Sequence, residues 1–204
     1  MNYLHQGDIP NNFIISESVA IDTETLGLKN TRDRLCVVQV SSGDGSSHLV
    51  QLGGEFGYKA INLKRLLKNN KVLKIFHYAR FDLAVIKKYL GVLPGNIYCT
   101  KIASRLARTY SDKHGLRELC KELLGVEISK QQQSSYWGSK VLSKSQIKYA
   151  ANDVLYLHRI RDELNIILEN EKRIHLLKPI LNFLPIRVKL DLNGWEHTDI
   201  FSHS

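Results

Sequence analysis

The stretch VAIDTETLGLKNTRDRL, residues 19–35, places Asp22 and Glu24 two residues apart at the end of a short apolar run. In an extended strand, residues i and i+2 point to the same side, so both carboxylates share one face. Two like charges that close repel, and they are tolerated only if a cation lies between them or a proton stays bound. Working outward, residues 19–24 read as a strand ending at this acidic pair. RLCVVQVSS (34–42) is a second apolar run, and the Gly43-Asp44-Gly45 turn leads into a third strand, SSHLVQL. Short connections between three such runs predict an antiparallel meander.

Beyond residue 60 the pattern alternates. NLKRLLKNN (62–70) predicts a short helix, VLKIFHY (72–78) a strand, and ARFDLAVIKKYLG a helix closed by Gly91. NIYCT (96–100) predicts a fifth strand, followed by helices in KIASRLART and in LRELCKELLG, where Leu116, Leu119 and Leu123 share a face. Residues 128–143 are polar and lack helical periodicity, so they read as a loop. Ser143 and Gln146 form a capping box that opens one long helix reaching about Asn170. The apolar segment IHLLKPILNFLP follows, then a tail rich in aromatic and histidine residues. The expected fold class is α/β: a single domain spanning 1–204, with one mixed sheet flanked by helices.

Composition narrows the partners. The net charge of +9, from 29 basic and 20 acidic residues, favours a polyanion such as nucleic acid. No segment has the apolar length of a membrane span, and the N-terminus does not read as a signal peptide. Three scattered cysteines, Cys36, Cys99 and Cys120, read as small buried hydrophobes in a reducing, cytoplasmic setting.

Asp22 and Glu24 have candidate partners downstream. Asp82 follows the strand VLKIFHY near a helix start, and Asp153 lies in the helix opened by the capping box, with Tyr149 one turn before it on the same face. Four converging carboxylates need metal, and hard oxygen donors suit Mg2+ or Mn2+. Two such ions held together form a clamp for phosphodiester cleavage, and Tyr149 is placed to orient the attacking water.

The segments AIDTETLGL, FHYARFDLAVI and YAANDVLYL resemble the three exonuclease motifs of the DEDD 3′–5′ exonuclease superfamily. Tyr149, four before Asp153, fits the tyrosine subclass, whereas the histidine subclass wants His at position 148, which is Lys. HGLRELCKELLGVEISKQQQSSYW is similar to the stretch before the third motif in ribonuclease D, although such relatives usually show Ser-Asp-Trp where this chain has Ser135-Tyr136-Trp137. The chain leaves no room for ribonuclease D's helical C-terminal domains, and its ending resembles the single-domain nanoRNase C branch of the superfamily.

That resemblance implies a ribonuclease-H-like fold, hydrolysis with two Mg2+ or Mn2+ ions on Asp22, Glu24, Asp82 and Asp153, and release of 5′-monophosphates from short RNA, chiefly dinucleotides. It also implies a ring-shaped homo-octamer, with the tail from about residue 190 at a subunit contact because Trp195, Ile200 and Phe201 have no evident role within the chain. Leu28, six after Asp22, stands where a leucine wedges between the two bases. His77 is placed to contact the scissile phosphate, Lys130 and Gln131 to Gln133 to bind phosphate oxygens, and Trp137 to anchor the loop. Two alternatives stay open: ribonuclease-D-like trimming of structured RNA 3′ ends, and an inactive nucleic-acid-binding scaffold.

Overall fold

The computed structural model of the protein describes residues 1–30, 32–129 and 131–203. The expected meander is present as β2 (Ser18–Thr25), β3 (Leu35–Ser41) and β4 (Ser47–Gln51), paired antiparallel. β5 (Leu73–Phe76) joins the other side of β2 in parallel, and β6 (Ile97–Cys99) extends the sheet beyond β5. A strand absent from the sequence reading, β1 (Asn2–Gln6), runs parallel to β4 and completes the order β1-β4-β3-β2-β5-β6. Four of its five residues are exposed, so it carries no apolar alternation to read. Its place is fixed by backbone pairing and by the stacking of Tyr3 and His5 on His48.

Both faces of the sheet are covered, which is why β3 is buried at every position. Val38, Val40 and Val50 join the core formed with Leu63 and Leu66 of α1 (Ile61–Lys68) and Leu83 and Ile86 of α2 (Ala79–Leu90). Their neighbours Val37 and Leu49 point the other way, onto Trp137, Leu142, Ala150 and Ala151. This strict alternation divides a single sheet between two apolar layers. It breaks once: the register slips between Glu24 and Thr25, which pair with Val37 and Leu35, leaving Cys36 as the extra residue of a bulge. The three cysteines are buried and unpaired, as expected.

The capping box forms: the Ser143 side chain accepts from the Gln146 N–H, and the Gln146 side chain accepts from the Ser143 N–H. The helix it opens is not continuous. It divides at Tyr156 (φ −104°, ψ −8°) into α5 (Lys144–Leu155) and α6 (Leu157–Asn170). The buried residues Val154, Leu157, Ile160 and Leu164 keep helical spacing across the break, so periodicity holds no trace of it. The division is a tertiary effect. α5 lies on β2, β3 and β4, whereas α6 packs on α3 (Thr100–Ala107) and α4 (Leu116–Leu124).

The apolar segment that follows is a 17-residue helix, α7 (Ile174–Leu190), which absorbs Pro179 and Pro185 and buries Leu177, Leu181, Leu184 and Val188. The expectation that the tail has no role within the chain is corrected, because much of it is tied to its own chain. Asp191 accepts two hydrogen bonds from Arg80 of α2 (2.6 and 2.8 Å) and two from Arg187 of α7 (2.9 and 2.7 Å). The same guanidiniums reach the carbonyls of Glu196 and Thr198, and Phe201 meets Phe183 with ring centroids 5.8 Å apart. The Arg80 contacts span more than a hundred residues, where sequence pattern does not reach. Asp191 is almost fully buried between two cations, so Asp191→Ala leaves both unpaired. A loss of about 2–3 kcal/mol in urea unfolding is expected, against no measurable loss for Glu127→Ala, whose ion pair with Lys121 is exposed.

Candidate active site

The period of β2 assembles the site. Asp22 and Glu24 point toward α5, while Thr23 points to the opposite face. From α5, Asp153 meets the pair, and ligand oxygens of Asp22, Glu24 and Asp153 all lie within 4.8 Å of one another. Asp82, in the first turn of α2, stands behind this trio and is only 3% exposed. It is held there by Thr23, whose hydroxyl donates to Asp82 Oδ1 at 2.7 Å. The Tyr149 side chain lies one turn before Asp153 on α5, and its ring faces Trp137.

The four acids oppose one another's ionisation. Burial, then Asp82, Asp153 and Glu24, hold Asp22 well above the usual carboxylate range. Glu24 is raised by burial, then by Asp153 and Asp82. Burial raises Asp82 against the Thr23 hydrogen bond, and raises Asp153 against the hydrogen bond from Tyr149. Burial and the surrounding carboxylates also push the Tyr149 phenol upward, so it keeps its proton. A set of carboxylate oxygens at this spacing fits a hard divalent cation, which relieves the repulsion and displaces the protons. Gln39 adds to the fit: it is fully buried directly opposite Asp22, and neither amide atom has a partner among the described residues.

The cluster forms the floor of a cleft of about 630 Å³. Leu26, Leu28 and Phe81 supply apolar walls, and Leu28 stands 84% exposed on the rim. His77 lines the cleft, with its ring pushed down to about 3 by burial and then by the charge of Lys101. Gln133 also lines it, whereas Lys130 lies outside the described residues. Sequence reasoning missed Tyr78, Lys101 and Arg117, which supply the remaining aromatic and basic groups. Lys101 Nζ sits 4.5 Å above the Tyr78 ring. Nothing local distinguishes these cations from the other Lys and Arg residues. The backbone of Tyr78 is left-handed (φ +67°), which aims its ring from the tip of β5.

Trp137 is the expected buried anchor, 2% exposed, with its ring centroid 6.0 Å from that of Tyr149. Its loop is fastened to α5 through the capping glutamine, whose amide donates to Ser135 Oγ (3.1 Å) and to the Tyr136 carbonyl (3.2 Å). One residue therefore caps the helix bearing Tyr149 and Asp153 and seats the indole against it.

Residues 9–169 match the family described as 3′–5′ exonuclease, and the chain belongs to that family. Ribonuclease D of Gluconacetobacter diazotrophicus is 34% identical over 156 residues, 76% of this chain and 39% of its own length. The chain thus spans 39–49% of the length of the curated ribonuclease D relatives it matches. Several solved structures match end to end. Brucella melitensis NrnC bound to pGG is 51% identical, covering 100% of this chain and 98% of its own, with a TM-score of 0.95. The same protein with bound Mg2+ is 50% identical, covering 100% and 99%, with a TM-score of 0.93. No helix among the described residues is long and apolar enough to cross a membrane.

Because the acids repel when no cation is present, Asp22→Asn is expected to stabilise the protein in excess chelator by about 1–2 kcal/mol in urea unfolding. Adding Mn2+ should stabilise the unsubstituted protein and much less the variant. A variant less stable in chelator and equally responsive to Mn2+ contradicts this account of the cluster.

Proposed function

We propose that this protein is a metal-dependent 3′–5′ exoribonuclease that degrades very short RNA, chiefly dinucleotides, to 5′-mononucleotides. The observation that carries the reading is the end-to-end likeness to a protein solved with pGG, joined to a carboxylate cluster at the floor of a cleft with apolar walls. Asp22, Glu24, Asp82 and Asp153 hold two divalent ions. When bound, these ions supply an activated water and charge stabilisation for the leaving oxygen. Tyr149 keeps its proton and orients the water through its hydroxyl, while Trp137 fixes the phenol in place.

Leu28 separates the two bases. It reads no base identity, since every base presents an apolar face. Lys101 and Arg117 on the cleft wall, with Lys130, capture a terminal 5′ phosphate. Trp195 and Phe201 remain 45% and 73% exposed although the tail is anchored, and they serve as contacts between copies in a ring-shaped homo-octamer.

In this reading Asp22→Ala, Glu24→Ala, Asp82→Ala and Asp153→Ala each abolish hydrolysis of a dinucleotide with Mg2+. Tyr149→Phe loses roughly 10²-fold, since it gives up an orienting hydrogen bond and not a metal ligand. Substrate length is decided by a time course on labelled RNAs of two to ten nucleotides. Dinucleotides should disappear first, and removal of the 5′ phosphate should weaken binding by roughly two orders of magnitude or more. Faster loss of the ten-nucleotide RNA supports trimming of RNA 3′ ends instead, and equal affinity with and without the phosphate removes the phosphate capture.

A further inference from the structure

His77 follows β5 directly, and its ring meets the first residue of α3, Thr100. The Thr100 side chain is fully buried, with Oγ1 at 2.9 Å from His77 Nδ1 and 3.1 Å from the Phe76 carbonyl oxygen. A carbonyl oxygen only accepts, so the single hydroxyl proton goes to Phe76. The hydroxyl oxygen is then left to accept, and the proton in the second contact must come from His77 Nδ1. In a neutral imidazole that assignment leaves Nε2 as a bare lone pair. The ring is neutral because burial and the neighbouring Lys101 both disfavour its charged form. Nε2 has no hydrogen-bond partner among the described residues, His77 lines the cleft, and it lies outside the carboxylate trio. The cleft wall therefore carries one neutral acceptor that the protein itself leaves unused.

An acceptor selects what it meets. Facing a phosphate oxygen, it sets lone pair against lone pair, so it is poorly suited to the scissile phosphate. It calls for an O–H or N–H from the substrate. The base faces are matched by Leu26, Leu28 and Phe81, whereas His77 sits beside Lys101, a cation suited to the sugar–phosphate backbone. We propose that His77 Nε2 accepts a hydrogen bond from a ribose 2′-hydroxyl and so makes the enzyme favour RNA over DNA. The 2′-hydroxyl is the group that distinguishes the two sugars, and a neutral acceptor rewards its presence without attracting an ion.

This inference rests on the exoribonuclease reading, and its test separates the two. Hydrolysis is measured with Mg2+ on a 5′-phosphorylated ribodinucleotide and on its 2′-deoxy and 2′-O-methyl counterparts. The same set is run on ten-nucleotide chains, so that the answer does not depend on length preference. The enzyme should favour the ribo substrate in kcat/KM by about 2- to 10-fold over both analogues, the range of one neutral hydrogen bond. His77→Asn keeps an amide N–H for Thr100 and deletes Nε2. It should bring the ratio close to one by slowing the ribo substrate and leaving the analogues nearly unchanged. Nitrogen NMR of the unsubstituted protein should show the His77 proton on Nδ1 at neutral pH. A proton on Nε2, or a variant that slows ribo and deoxy substrates equally, overturns the inference while leaving the exoribonuclease reading intact. Failure to cleave any of these RNAs overturns both.

Discussion

The repulsion among four carboxylates, two on the central strand β2 and one each on α2 and α5, is the constraint on which the rest of the structure depends. Left to themselves these groups would separate or stay protonated, since each raises the ionisation cost of its neighbours. The fold removes the first way of escape. β2 is paired with β5 over Ser18–Ala20 and with β3 through Asp22 and Glu24, so the two acids cannot swing apart without breaking the β2–β3 ladder. The bulge at Cys36 lies opposite the end of this strand, where the ladder loosens and the chain leaves for the Leu26–Leu28 rim. The repulsion is thereby stored as affinity for a divalent cation.

Several features outside the cluster make sense as supports for that arrangement. Thr23, on the wrong face to join the trio, fixes Asp82 instead. Gln146 ties the 128–143 loop to the start of α5, so Trp137 backs Tyr149. On the far side, Arg80 lies two residues before Asp82 and is gripped by Asp191. The end of α7 and part of the tail are thus coupled to the helix that carries an acid of the site. The chain is anchored from strand, loop and tail at once, which keeps the mutually repelling groups from relaxing.

The cleft above the floor is built for generic features of a nucleotide. In the proposed reading its apolar side chains meet base faces, which every base offers, and its cations meet phosphates. On the same wall, His77 is committed on Nδ1 and open on Nε2 among the described residues.

The acid pattern, Tyr149, the capping box and the strand–turn–strand meander were legible in the sequence, because each depends on residues a few positions apart. Fixed spacing dictates which face a side chain occupies, and the Asp22/Glu24 pair and the Tyr149/Asp153 turn follow from period 2 and period 3.6 alone. The family motifs added the convergence of the four acids. Other features belong to the tertiary structure. β1 is set by pairing with β4 and not by its own apolar pattern. The break at Tyr156 follows from two different surfaces under one unbroken periodicity. The Arg80–Asp191 tie spans 111 positions. Lys101 and Arg117 reach the cleft only because two separate helices begin there, and the His77 tautomer is decided by a hydroxyl 23 positions away. Sequence specifies local periodicity and the chemistry available. Which distant groups meet, and which atom of a ring is left free, is settled only when the packed layers bring them into contact.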